Sequence, residues 1–144
     1  MESLAYLNQV GPALSMALGA IGSAVGCYIA GIASHAAMSR VEEGHGKMIA
    51  MASACSTQCI YGLVLTFILD QRIKGGDLSP VAGIFVGLLA GLAIMYSAIY
   101  QGKVAAAGIQ ASLKQPAVYG KCLVAVGVLE SFAIFALVFS LLII

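Results

Sequence analysis

The stretch Cys122–Ile144 reads CLVAVGVLESFAIFALVFSLLII, and Glu130 is the single charged residue in it. Three further stretches contain no Asp, Glu, Lys or Arg at all, namely residues 3–39, 48–69 and 78–102. A helix needs about 20 apolar residues to cross the ~30 Å hydrocarbon layer of a bilayer, and each of the four stretches is longer than that. The pattern therefore predicts an all-α membrane protein with four transmembrane helices.

The composition excludes a free cytosolic globule. Of the 144 residues, 61% are hydrophobic and only 9% are charged, whereas about a quarter of a soluble domain is charged. The formal net charge of +1 gives no reason to expect nucleic acid as a partner. We expect lipid to surround the chain.

The charged residues between the spans predict an orientation. The loop at 70–79 has two basic residues balanced by two acidic ones, whereas the first and third loops with their flanks have five Lys or Arg residues. These five are Arg40, Lys47, Lys103, Lys114 and Lys121. By the positive-inside rule, loops one and three are cytoplasmic and both termini lie outside.

The sequence repeats itself as two hairpins. A shift of 74 positions places Gly46-Lys47 on Gly120-Lys121, and it places Ser56 on Glu130. Because both copies have the same orientation, the pattern indicates a tandem duplication rather than an inverted repeat. We expect one membrane domain, residues 1–144, with hairpin one at about 5–70 and hairpin two at about 78–144.

Small residues recur at every fourth position in the first and third spans. This spacing suits close approach of helix backbones, which is a main source of cohesion in lipid. The stripes fit packing inside one four-helix protomer, and their length favours the inner wall of a ring of protomers. The two stripes are Gly11, Ser15, Gly19, Ser23, Cys27 and Gly31 in the first span, and Gly83, Gly87 and Gly91 in the third.

A set of polar residues lies at mid-membrane depth. A carboxylate there costs about 2.5–3.5 kcal/mol on insertion scales, so Glu130 needs a compensating role. Thr57, Gln58 and Tyr61 share one face of the second span, and Gln101 lies in the third. Each is explained singly by hydrogen bonding inside a bundle. Together, a hydroxyl, two amide oxygens and a carboxylate suit a small hard cation.

The run Tyr100–Gln110, which reads YQGKVAAAGIQ, resembles a known family, and so do the Glu130-Ser131 pair and the duplicated hairpin. The family is the membrane rotor proteolipid of V-type ATPases, and the chain is most similar to its bacterial sodium-translocating branch. The resemblance implies a multi-pass cell-membrane protein in a homo-oligomeric ring. That ring turns against a stator that supplies an Arg, with a central stalk on the cytoplasmic loops. It also implies that nucleotide chemistry occurs on other polypeptides. The sequence of this chain contains no phosphate-binding motif.

For the site, the resemblance implies that Na⁺ is the transported ion, and it implies no organic cofactor. The ligands carried over are Thr57, Gln58, Gln101, Glu130 and the backbone carbonyl of Ala54. Tyr61 matches the tyrosine that hydrogen-bonds the glutamate. One difference is that Cys55-Ser56 stands where the family can have Pro-Gly before the threonine.

Three alternatives remain at this point. A proton-translocating rotor of the same family would need Glu130 but fewer neutral oxygens. A small four-helix multidrug or cation antiporter would have its acid in the first helix and no duplication. A structural or pore-forming protein with four spans would leave Glu130 unexplained.

Overall fold

The computed structural model describes residues 6–144, and these residues form four helices long and apolar enough to span a membrane. This confirms the predicted fold class. The bounds are α1 Leu7–Met38, α2 His45–Gly75, α3 Pro80–Lys114 and α4 Pro116–Ile143. Within α2, the α segments His45–Ser53 and Thr57–Gly75 are separated by a 3₁₀ turn at Ala54–Ser56, and α4 begins with a 3₁₀ turn at Pro116–Val118.

Local sequence signals set the start of α3 and the end of α2. Ser79 is extended and its hydroxyl accepts the Ala82 N–H at 3.3 Å, with Pro80 in the first turn of the helix. Serine as the N-cap with proline in the first turn is a common arrangement at helix starts. Gly76 closes α2 in the left-handed conformation at φ 82°, which glycine adopts without a steric penalty.

Helices α1 and α3 pack backbone against backbone. A Cβ at Gly11 would overlap the Gly83 carbonyl, and a Cβ at Gly102 would overlap the Gly26 carbonyl. At Gly22 a Cβ would lie 2.6 Å from the Met95 Cα. The structure therefore uses the small-residue stripes inside one protomer, and their use in the wall of a ring stays a prediction.

Helices α2 and α4 lie outside this central pair. Helix α2 approaches α1 where Gly62 faces the Ser15 carbonyl, with 2.7 Å between that oxygen and an added Cβ. Helix α4 packs mainly on α3. In the most apolar 18-residue segment of α4, only 11% is buried, against 39% in the corresponding segment of α3. Its outer apolar surface is therefore left for lipid or for neighbouring copies.

Two apolar clusters divide the bundle along its length. One contains Met51 and Ile109, and the other contains Leu65 and Ile94. On α4 the clusters include Val126 and Ala133 respectively. The polar residues predicted from the sequence lie in the layer between these clusters, so the fold places them at a shared depth.

Candidate ion-binding site

The carboxylate of the site is held by a tyrosine on another helix. The Tyr61 hydroxyl on α2 donates a hydrogen bond to Oε1 of Glu130 on α4 at 2.7 Å. Both side chains are half-buried. A hydrogen bond to an ionised group is about twice as strong as a neutral one, so Tyr61 fixes the direction of the carboxylate.

Two glutamines join the other helices of this layer. Nε2 of Gln58 on α2 donates to Oε1 of Gln101 on α3 at 2.6 Å. Nε2 of Gln101 in turn donates to the Val126 carbonyl on α4 at 3.0 Å. Both glutamines have 0% of their surface exposed. Because Val126 lies one turn before Glu130, this chain of amides reaches the segment of α4 that carries the carboxylate.

Thr57 connects the amides to the backbone of α2. Its Oγ1 lies 3.1 Å from the Ala54 carbonyl and 3.3 Å from Oε1 of Gln58. A threonine has one hydroxyl proton, so it donates to one of these oxygens at a time. Its own lone pairs are not used in either bond.

The turn at Ala54–Ser56 lies in a stretch that is rich in hydroxyl side chains. Three hydroxyls of α2 bond to carbonyls three residues back along the helix. Such side chains compete with regular helical bonding and bend helices. The pairs are Ser53 with Ala50, Ser56 with Ser53, and Thr57 with Ala54. These hydroxyls lie where the family can have Pro-Gly. Their close spacing in the sequence was a signal for an irregular helix, and the sequence analysis did not use it.

Ser97 is a second residue that the sequence interpretation missed. Its hydroxyl donates to the Leu129 carbonyl at 2.6 Å, one residue before Glu130. Ser97 lies one turn before Gln101 on α3, so the two side chains hold successive parts of α4. An i, i+4 pair of polar residues in an apolar helix was the available signal.

The layer offers mainly oxygen atoms. A glutamine Oε1 has two lone pairs, so one remains when the other accepts a hydrogen bond. Among residues 6–144, no group of three His, Cys, Asp or Glu is placed to hold a metal ion. A cation held in this layer would therefore have one carboxylate and several neutral oxygens as neighbours, which suits a hard monovalent ion.

Four apolar helices in two hairpins, with a buried polar layer around one carboxylate, define a multi-pass membrane proteolipid. A family model for the C subunit of ATP synthase matches residues 10–69 and 84–143, so the chain belongs to this family. The two matches are shifted by 74 positions, which confirms the tandem duplication.

Two relatives support the same identification. The chain is 35% identical over 127 residues to the V-type sodium ATPase subunit K of Enterococcus hirae, covering 86% of this chain and 81% of the relative. It is also 35% identical over 134 residues to the A-type ATP synthase subunit K of Methanocaldococcus jannaschii. That match covers 91% of this chain but 60% of the relative. The resemblance inferred from Tyr100–Gln110 and Glu130-Ser131 is confirmed. The protein is a membrane rotor proteolipid of a V/A-type ATPase, from a family that forms rings.

Proposed function

We propose that this proteolipid carries Na⁺ at Glu130 while its ring turns past a stator during ATP hydrolysis elsewhere in the complex. The observation that carries the proposal is the joining of Thr57, Gln58 and Gln101 in one hydrogen-bonded chain beside the Tyr61–Glu130 pair. The similarity to a relative described as part of a sodium ATPase supports the choice of ion.

The physical argument is one of replacing water. Na⁺ must shed its hydration shell to enter a site, so several oxygens must replace that shell together. Four side chains supply them: Thr57, Gln58, Gln101 and Glu130. The Ala54 carbonyl is the proposed fifth, since the 3₁₀ turn begins at that residue. The bound cation stabilises the carboxylate directly, which offsets the cost of a charge in an apolar layer.

A proton is the second candidate. The Tyr61–Glu130 hydrogen bond already satisfies one carboxylate oxygen, and a proton on the other needs no cage of neutral oxygens. Proton transport would leave the buried pairing of Gln58 and Gln101 with a packing role alone. Sodium is preferred because it would use both amide oxygens as ligands.

The proposed partners follow from the same placement. A stator with an Arg would meet Glu130 on α4, which is the least covered of the four helices. Loops one and three lie at one end of the bundle, where Lys47 Nζ lies 5.6 Å from the centre of the Tyr119 ring. We assign this end to the cytoplasm and to the central stalk.

The test is labelling of Glu130 by a hydrophobic carbodiimide in purified rings, since this reagent reacts with the protonated acid. Na⁺ should protect Glu130, and protection should be stronger at high pH, where fewer protons compete. Changing both Thr57→Ala and Gln58→Ala should raise the half-protecting Na⁺ concentration by about a hundredfold or more, because bonds to a charged group are worth about 1.5–3 kcal/mol each.

Gln110→Ala is the matched control. This glutamine lies in α3, as Gln101 does, and it bonds a carbonyl of α1, the Ala33 oxygen at 3.5 Å, but it lies away from the polar layer. Its substitution should leave protection unchanged. Labelling that ignores Na⁺ at every pH would refute sodium binding and favour the proton.

A further inference from the structure

A serine of α1 bonds the backbone of α2 at the polar layer. The backbone N–H of Cys59 donates to Oγ of Ser23 at 2.9 Å. Ser23 is 6% exposed and belongs to the small-residue stripe of α1. Its neighbours Gly19 and Gly26 permit the approach, since a Cβ at Gly19 would lie 3.0 Å from the Gln58 carbonyl oxygen.

This bond has the role of a helix cap supplied by another helix. The α segment Thr57–Gly75 begins after the 3₁₀ turn, and its N-cap residue makes no side-chain capping hydrogen bond. A side chain at the N-cap usually accepts such a bond. Ser56 occupies that place, but its hydroxyl donates to the Ser53 carbonyl at 2.8 Å instead. Ser23 supplies the missing acceptor.

The second hairpin contains a counterpart. Ser97 lies 74 positions after Ser23, the shift that relates the two family matches. Its hydroxyl donates to the Leu129 carbonyl at 2.6 Å. The same shift relates Leu129 to Cys55, the residue whose carbonyl would accept the Cys59 N–H in an uninterrupted helix. In both hairpins a serine of the inner helix therefore bonds the outer helix at corresponding places.

We propose that Ser23 is a positioning residue for ion binding, because it holds the α2 turn open and so directs Thr57 and the Ala54 carbonyl toward the ion. The inference deepens the proposed function and rests on it. Without the hydroxyl, the Cys59 N–H would either lose its partner or return to the Cys55 carbonyl. Either change would turn Thr57 and the Ala54 carbonyl away from their present directions.

The experiment compares Ser23→Ala with Ser15→Ala in the intact ring. Ser15 is also a buried serine of the α1 stripe, and its hydroxyl lies 2.8 Å from that of Thr66, outside the polar layer. Ser23→Ala should raise the half-protecting Na⁺ concentration in the carbodiimide assay about tenfold, whereas Ser15→Ala should leave it unchanged. If Ser23→Ala rings do not assemble, Ser23→Cys replaces them in the test. The thiol keeps the size but is a weak acceptor, so the half-protecting concentration should shift in the same direction.

Hydrogen–deuterium exchange of residues 55–60 is the second readout. It should accelerate in Ser23→Ala relative to Ser15→Ala. An unchanged half-protecting concentration, or an unchanged exchange rate, would overturn the positioning role. If the unsubstituted ring shows no protection by Na⁺, the proposed sodium function fails and the ion-binding role of Ser23 fails with it. In that case exchange separates the two failures, because faster exchange would show that Ser23 still holds the turn.

Discussion

Glu130 lies where a charge is costly, in a helix that has no other charged residue after Lys121. Its hydrogen bond from Tyr61 is made across two helices and fixes the carboxylate in the polar layer. This combination fits the proposed ion site, in which the acid must be held well enough to bind and must still be reachable by a stator. Intramembrane acids in general indicate function.

Glu130→Gln should leave the ring assembled and abolish ion-coupled ATP hydrolysis. The amide keeps the size and can still accept the Tyr61 hydrogen bond, but it carries no charge for a cation. Ring assembly is read on detergent gels and coupling is read as Na⁺-stimulated hydrolysis by the whole complex. Coupled transport that survives the change would contradict the assignment of Glu130.

Tyr61→Phe should weaken ion retention rather than abolish it. The change removes the 2.7 Å hydrogen bond to the carboxylate but leaves the proposed ligands in place. We expect faster release of bound ²²Na⁺ from purified rings, by about tenfold or more, since a hydrogen bond to a charged group is worth about 1.5–3 kcal/mol. An unchanged release rate would mean that Tyr61 is not part of the closed site.

At the scale of elements, helix α2 shows how far sequence reasoning reached. The lengths of the spans and the residues of the polar layer followed from charge spacing and helical periodicity. The turn at Ala54–Ser56 did not, because it depends on which carbonyl each hydroxyl selects, and several choices are close in energy. The hydrogen bond from the Cys59 N–H to Ser23 could not be predicted either, since it depends on the position of α1 relative to α2.

The sequence also does not decide which helices the glycine stripes pack against. Periodicity identifies a face but not its partner, and a face packed inside a protomer has the same spacing as a face between protomers. In the structure, a Cβ at Gly87 would overlap the Gly11 carbonyl, while a Cβ at Gly127 would meet nothing within 4 Å. These two glycines therefore test the packing directly.

Gly87→Ala should lower the temperature at which the purified protein unfolds. The added methyl forces α1 and α3 apart, an overpacking error that costs about 1–3 kcal/mol. Gly127→Ala should be neutral or stabilising by up to about 1 kcal/mol, because alanine favours a helix. Thermal unfolding in detergent compares the two, and equal stability would mean that α1 and α3 do not touch at Gly87.

At the scale of the whole molecule, the proposed orientation places loops one and three in the cytoplasm. A cysteine at Glu43, in loop one, should react with a membrane-impermeant maleimide only after cells are permeabilised. A cysteine at Asp77, which is exposed in loop two, should react in intact cells. The unsubstituted chain supplies the background from its native thiols. The reverse pattern would invert the topology.

The four helices also explain why the chain should not act alone. Much of α4 remains uncovered, and the carboxylate that it carries is half-buried rather than enclosed. In a ring, the neighbouring copy and lipid would cover this surface, so each protomer would present Glu130 to the stator in turn. The family to which the chain belongs forms such rings.

The central claim is that each protomer binds one Na⁺ through Glu130 and the neutral oxygens of Thr57, Gln58 and Gln101. Equilibrium binding of ²²Na⁺ to purified rings measures this directly, with protein concentration determined by amino-acid analysis. We expect saturation at about one Na⁺ per chain, displacement by protons as the pH falls, and no saturable binding in Glu130→Gln rings. Rings that bind no Na⁺ in a saturable manner, or that bind it equally well in Glu130→Gln, would contradict the claim.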